Sequence, residues 1–255
     1  MNPADALFEA LALPPDSRVD ERIAKRLLAQ HGARAAGERK RVEEGIAEAH
    51  WLAALRGGEG GLAAFRDDTR EYAEIHVLRL ILRPDAAPAP LLRVVHRAIP
   101  YPIVILCAQG DTAWLSLAPL RRAENEPGRL VLESDPVTTP PLRPTALSPV
   151  EREFLARLAL ASQAVRDLYQ LYQAWIDHLG TLDAAGLTGA LPAAQTPAQA
   201  AQRRALLAEF RRLQADITRL RREAAKERQI NRQVELNLQL QRLEARAKQC
   251  GAMLA

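Results

Sequence analysis

The segment Asp67, Asp68, Glu71 and Glu74 puts four carboxylates into eight residues, at the mouth of a stretch that alternates like a strand. Grouped carboxylates at a strand entrance are the raw material of a Mg²⁺ site that would activate water against a phosphodiester. Nucleases that use paired acids usually add a lysine from a neighbouring strand, and this chain has none between positions 41 and 225. The plainer expectation is a polar loop leading into a half-exposed strand, with a degenerate Mg-dependent nuclease kept as an alternative. Little else here could do covalent chemistry. His31, His50, His76, His96 and His178 show no ligand spacing, and the chain contains no phosphate-binding P-loop, dinucleotide glycine motif or nucleophile elbow. Cys107 and Cys250 are too few and too far apart for a disulfide framework or a zinc site, and Cys107 sits in an apolar run that reads as core. The expectation is a non-enzymatic chain with no cofactor and no metal.

Binding is a different matter. Residues 197–255 hold thirteen Arg and Lys against six Asp and Glu, a net of +7; the whole chain is +4, which leaves −3 elsewhere. Arg211, Arg212, Arg219 and Arg222, with Arg203, Arg204, Arg221, Arg228 and Arg232 around them, form a face that could follow a phosphate backbone. Glu209, Asp216, Glu223 and Glu227 are interleaved at spacings that suit intrahelical pairs, and no aromatic residue offers a stacking platform for bases. Nucleic-acid binding is therefore an alternative. The leading expectation is a protein partner docked on Lys226, Glu227, Asn231, Val234, Glu235 and Leu238. There a charged and amide-rich insert interrupts an apolar seam, and a seam Asn fixes register through its hydrogen bonds.

These residues need elements to carry them. From Thr196, a good N-cap, through Pro197 to Gly251 no Gly or Pro interrupts the chain. The spacing predicts one helical rod of roughly 75–80 Å. Leu206, Phe210, Leu213, Ile217, Leu220 and Ala224 recur at 4-3 spacing, and a second rhythm begins at Leu236, Leu240, Leu243, Ala247 and Cys250, out of phase with the first. Ser148 and Glu151 predict a capped helix running to Gly180, with a heptad seam of Phe154, Leu158, Ala161, Val165, Leu168, Tyr172, Trp175 and Leu179. Two such seams predict an antiparallel helical hairpin over 148–255, its last helix overhanging.

Upstream, capping and periodicity predict helices at the N-terminus, over 18–30 and over 36–56, so residues 1–57 read as a helical segment. Residues 62–135 read as a small β-α-β-β unit: a strand over 72–83, a helix over 91–98, a strand over 103–107, and a return over 112–117 after Gly110 and Asp111. A further strand is read at 129–133. Pro100, Tyr101 and Pro102 end the helix and aim the strand, with a peptide groove as the sharper alternative. Four prolines between 136 and 144 predict an irregular linker. The fold class is α+β.

Composition sets wider bounds. Apolar residues make up 48% of the chain, ample for a core, but aromatics only 4%, so that core must be built mainly from Leu, Ala, Val and Ile. No apolar run approaches a membrane span, no signal-peptide pattern opens the chain, and the free cysteines suit a reducing compartment; the expected location is the cytoplasm, away from membranes.

The run from Arg97 to Ile105, the hairpin at Gly110 and Asp111, the insert from Lys226 to Asn237 and the start from Leu13 to Lys25 together resemble a bacterial family, domain of unknown function 4391. The resemblance carries over no catalytic residues. It implies an accessory role beside helicases and DNA methyltransferases in restriction-like or phage-defence systems, with such an enzyme, or a second copy of the chain, as the partner.

Overall fold

The computed structural model describes residues 2–58, 61–124, 126, 129–188, 191, 197–227 and 229–254. It divides into two compact units, Met1–Leu179 and Gly180–Ala255. The class is mixed α and β.

The first unit is built on six strands: β1 (Arg18–Arg22), β2 (Ile46–Arg56), β5 (Glu74–Leu82), β6 (Ile103–Gln109), β7 (Thr112–Leu117) and β10 (Val137–Thr138), in the order β1-β2-β5-β6-β7-β10. Only β5 and β6 run parallel, joined through α4 (Pro88–Ala98); every other pairing is antiparallel. Such a connection needs a crossover, and the apolar stripe of α4 (Leu91, Leu92, Val94, Val95) lays it on the sheet. Two short ribbons accompany the sheet: β3 (Phe65–Arg66) with β4 (Glu71–Tyr72), and β8 (Leu120–Arg122) with β9 (Leu130–Leu132).

Alternation along the strands sorts their two faces. Leu78, Leu80 and Leu82 of β5 and Ile103, Ile105 and Cys107 of β6 pack with Leu28 and Ala29 of α2 (Lys25–Gly32), Val42 of α3 (Ala36–Gly45) and the α4 stripe. Helix α1 (Pro3–Leu11), closed by an Asn2 and Asp5 capping box, contacts β6 and β7, and its Asp5 accepts a 2.8 Å hydrogen bond from Arg79 of β5. Gly32 is required by close approach to backbone, and Gly45 is crowded by a side chain. A Cβ on Gly32 would lie 2.2 Å from the Val94 carbonyl, and one on Gly45 would lie 2.9 Å from Leu91 Cδ1.

Several expected elements form differently. The helix expected over 18–30 is β1 followed by α2, and the one expected over 36–56 ends at Gly45 and continues as β2. Val42, Ile46, Ala49 and Ala53 do fall at helical spacing, but Ile46–Arg56 pairs with β5 along its length and with β1 at His50, Trp51 and Ala53. Tertiary pairing overrides the helix propensity of its alanines. Residues 1–57 thus supply two strands of the sheet and are not a separate helical segment. The proline-flanked linker likewise contributes β10 at the sheet edge. There Thr139 N donates to Leu115 O, and Leu115 N to Thr139 Oγ1, while Pro136, Pro140, Pro141 and Pro144 stay outside the strand. The strands expected over 72–83, 103–107, 112–117 and 129–133 and the helix expected over 91–98 are all present.

The helix expected over 148–180 is two helices. α5 (Pro149–Ala156) starts at the Ser148 and Glu151 capping box, and α6 (Leu168–Thr188) follows an interruption. Gln163 Nε2 donates to the Arg157 and Ala159 carbonyls at 2.6 and 3.2 Å, satisfying groups that the break releases. Ala161 and Val165, the middle of the expected seam, fall in this interruption; Phe154, Leu158, Leu168, Tyr172, Trp175 and Leu179 are buried.

In the second unit the expected rod is also broken. α7 (Pro197–Lys226, 30 residues) and α8 (Ile230–Leu254, 25 residues) are separate helices, roughly 45 and 38 Å long at 1.5 Å per residue. Arg221 bonds Glu244 and Arg246 bonds Glu209 across the pair, so the register decreases along one helix as it rises along the other, and the helices are antiparallel. Leu213, Ile217, Leu220 and Ala224 pack against Leu236, Leu240, Ala247 and Cys250. The two rhythms out of phase in the sequence are therefore the two halves of one interface. The hairpin is α7 with α8, rather than the 148–180 segment with an overhanging last helix. Thr196, the expected cap of the rod, lies outside the described residues.

Candidate docking face on the last helix

The turn between α7 and α8 explains the polar insert. Glu227 N makes the last helical bond to Glu223 O, and the Glu227 carboxylate then accepts from Gln229 N at 2.9 Å. Gln229 O takes the Gln233 N–H of the new helix at 2.9 Å. Glu227 thus helps to close the chain reversal through its own side chain. Lys226, the last residue of α7, is exposed.

Beyond the turn, Asn231, Val234, Glu235 and Leu238 all lie exposed on α8. Val234 and Leu238 keep 53% and 50% of their surface in water, high for branched apolar side chains on a packed helix. Each lies two residues from a buried seam leucine, Leu236 or Leu240, and so about 200° around the helix from the interface with α7. Asn231, Val234 and Leu238 follow 3-4 spacing, and exposed Gln241 and Ala245 continue it. The structure therefore joins Asn231, Val234 and Leu238 on one face, with Lys226 at the end of α7 and Glu227 in the turn. Glu235 is held by Arg232 one turn away at 2.7 Å. Gln241 and Ala245 were not singled out in the sequence, although the 3-4 rhythm counted from Asn231 reaches both.

The arginine face of α7 divides. Arg211 pairs with Asp183 of α6, and Arg219 pairs with Asp216 at 3.0 Å. Arg212 and Arg222 are exposed and have no ion pair among the described residues. Arg228 and the side chain of Arg204 lie outside the described residues.

The carboxylates at 67–74 are held apart by different partners. Asp67 closes its own turn, accepting from Thr69 N and Arg70 N at 2.7 and 2.6 Å. Glu71 takes Arg122 at 2.8 Å, while Glu74 faces Arg56 and His76 at 3.7 and 3.3 Å. Among the described residues no three His, Cys, Asp or Glu side chains are gathered where they could hold a metal. Cys107 is fully buried, and burial pushes its thiol up to about 12, the inert core behaviour its apolar neighbours imply. Tyr101 is 44% exposed and stacks on His76, which stacks in turn on Trp51.

A mixed sheet of this topology followed by an antiparallel helical pair defines an α+β protein in which no described helix is long and apolar enough to cross a membrane. The chain belongs to the family described as domain of unknown function (DUF4391), whose model matches residues 11–246. No curated protein and no solved structure matches it.

Proposed function

We propose that the chain is a non-enzymatic accessory protein that docks a protein partner on the outer face of α8, within a bacterial DNA-modification, restriction or phage-defence assembly. The observation that carries this reading is the pair Val234 and Leu238, half exposed one turn apart beside Asn231, on a helix whose other face is already buried against α7. Apolar side chains set at 3-4 spacing with an amide among them suit a partner helix. The net charge of +7 over residues 197–255 favours a partner helix that is apolar along one stripe and acidic at its flanks. The assembly itself comes from the company that the family keeps, and a helicase or DNA methyltransferase is the expected partner.

Affinity capture from the native host, with and without nuclease, tests this. A stoichiometric helicase or methyltransferase should survive nuclease and be lost from the Asn231→Ala, Val234→Ala double variant. Both residues are exposed, so thermal unfolding of the isolated variant should stay within about 1 kcal/mol of the parent. Association that survives the double substitution sinks the reading. The second reading, nucleic acid on the α7 arginines, is favoured by Arg212 and Arg222, which lack ion pairs among the described residues. Capture lost on nuclease treatment, with salt-sensitive binding removed by substituting Arg219 and Arg222, would put that reading first.

A further inference from the structure

The C-terminal ends of α2 and α4 and the β8–β9 ribbon enclose a recess of about 590 Å³, within the usual size range of small-molecule sites. Its lining is chemically lopsided. Arg34, Arg97, Arg129, His31 and His96 contribute to it, and among the described residues no Asp or Glu does. Three other recesses, lined by α7, by α7 with α8, and by α3 with α4, each have a carboxylate in the wall. The rest of this lining is largely apolar: Leu120, Leu130, Val131 and Leu132 form one side, and the three β9 residues are only half buried, which leaves apolar surface facing the space.

The cationic groups are not consumed by their partners. Arg97 gives Nη2 to Glu38 at 2.7 Å, yet its Nε is buried without a hydrogen-bond partner. Arg34 engages Glu38 through its backbone N–H at 2.7 Å, and its guanidinium acts on Glu38 at longer range, so that one carboxylate faces both arginines. Arg129 meets Glu126, both well exposed. Three arginines against these two carboxylates leave a net positive charge around the recess. His96 adds a fixed, buried ring to the wall. It is 2% exposed, and its Nε2 lies 3.0 Å from Ser116 Oγ. Ser116 Oγ in turn lies 3.0 Å from Thr138 Oγ1, so Nε2 is already engaged in a hydrogen-bonded chain. Burial lowers the His96 pKa to about 3, so the ring stays neutral near neutral pH.

We propose that this recess binds a small phosphomonoester, its phosphate held by Arg34, Arg97 and Arg129 and its apolar body lying against Leu130 and Leu132. Guanidinium groups match the oxygens of a phosphate in pairs, and the apolar wall separates an organic phosphate from the inorganic ion. The recess uses no residue of the α8 face, so this assignment and the docking reading fail separately.

Isothermal titration of the full chain with phenyl phosphate and, separately, inorganic phosphate tests the assignment. Phenyl phosphate should bind one per chain and about tenfold more tightly than inorganic phosphate, because burying one ring face on the β9 wall is worth that much. The Arg34→Gln, Arg129→Gln double variant should weaken phenyl phosphate by about tenfold or more with its melting temperature unchanged, since both side chains are exposed. Arg97→Gln should weaken it as well, but that variant also deprives Glu38 of its partner, so the exposed pair is the deciding one. No binding at millimolar phenyl phosphate, equal affinity for the two probes, or a double variant that binds like the parent would each overturn the assignment.

Discussion

In the first unit, both faces of β6 are covered and six of its seven residues are buried. Longer-range ties reinforce the packing there: Tyr172 Oη reaches Ile103 O, Ala118 O and Ala118 N at 2.8 to 3.1 Å, and Trp175 Nε1 reaches Leu158 O at 3.0 Å. In the second unit α7 and α8 share one seam of mostly medium-sized side chains, several of them 7–8% exposed, and the outer surface of α8 leaves Val234 and Leu238 half exposed. The difference teaches where to look for partners. A face that spends its apolar residues on itself has little left to offer, whereas Val234 and Leu238 remain available.

The contrast can be broken at its strongest point first. Trp175→Ala removes a side chain that is 1% exposed and should cost about 3–5 kcal/mol, read from chemical denaturation of the full chain, whereas Ile217→Ala in the α7–α8 seam should cost nearer 2 kcal/mol. Equal losses would mean that the seam is packed as tightly as the sheet core.

The pH dependence sharpens the same contrast, because it belongs to the first unit. Burial holds the His96 pKa at about 3 in the folded chain against 6.5 ordinarily, so below pH 6.5 the unfolded chain binds a proton that the folded one refuses. Stability is then full above pH 6.5 and falls as pH drops toward 3, by up to about 1.4 kcal/mol per unit. His76 and His178, both lowered chiefly by burial, act in the same direction. His96→Gln should flatten the slope between pH 6.5 and 4 in denaturation series; an unchanged slope would assign it to other groups.

The smallest effect belongs to the ion pairs across α7 and α8. Arg221 with Glu244 and Arg246 with Glu209 are well exposed, so removing either should cost less than about 1 kcal/mol and should vanish in high salt. A larger loss would make these pairs, instead of the thin seam, the main tie between the two helices.

Local signals were legible in the sequence wherever local physics decides. The Ser148 and Glu151 capping box, the buried run from Ile103 and the turn at Gly110 each depend on residues within one turn of each other. Ile46–Arg56 was illegible because its alanines carry helical spacing, and only its neighbours β1 and β5 make it a strand. The reversal at Glu227 was half legible: the loss of phase between Ala224 and Leu236 marked it, but no Gly or Pro announced a break. On the docking face the residue types were readable, while which of them look outward depends on where α8 turns back. The recess at Arg34, Arg97 and Arg129 was not legible, because these arginines lie far apart in the chain and line one space only where the ends of α2 and α4 meet the β8–β9 ribbon.

The clasp made by Tyr172 also has a consequence in time. Its hydroxyl joins backbone positions 69 and 54 residues earlier in the chain, so the loop it closes is long and its formation is slow compared with that of a helical hairpin. The α7–α8 pair closes over a turn of three residues and belongs to the class of structure that forms in microseconds. During synthesis the strands emerge before residue 172 and cannot be locked until it has left the ribosome, whereas α7 and α8 need only each other and can pair almost as soon as both appear.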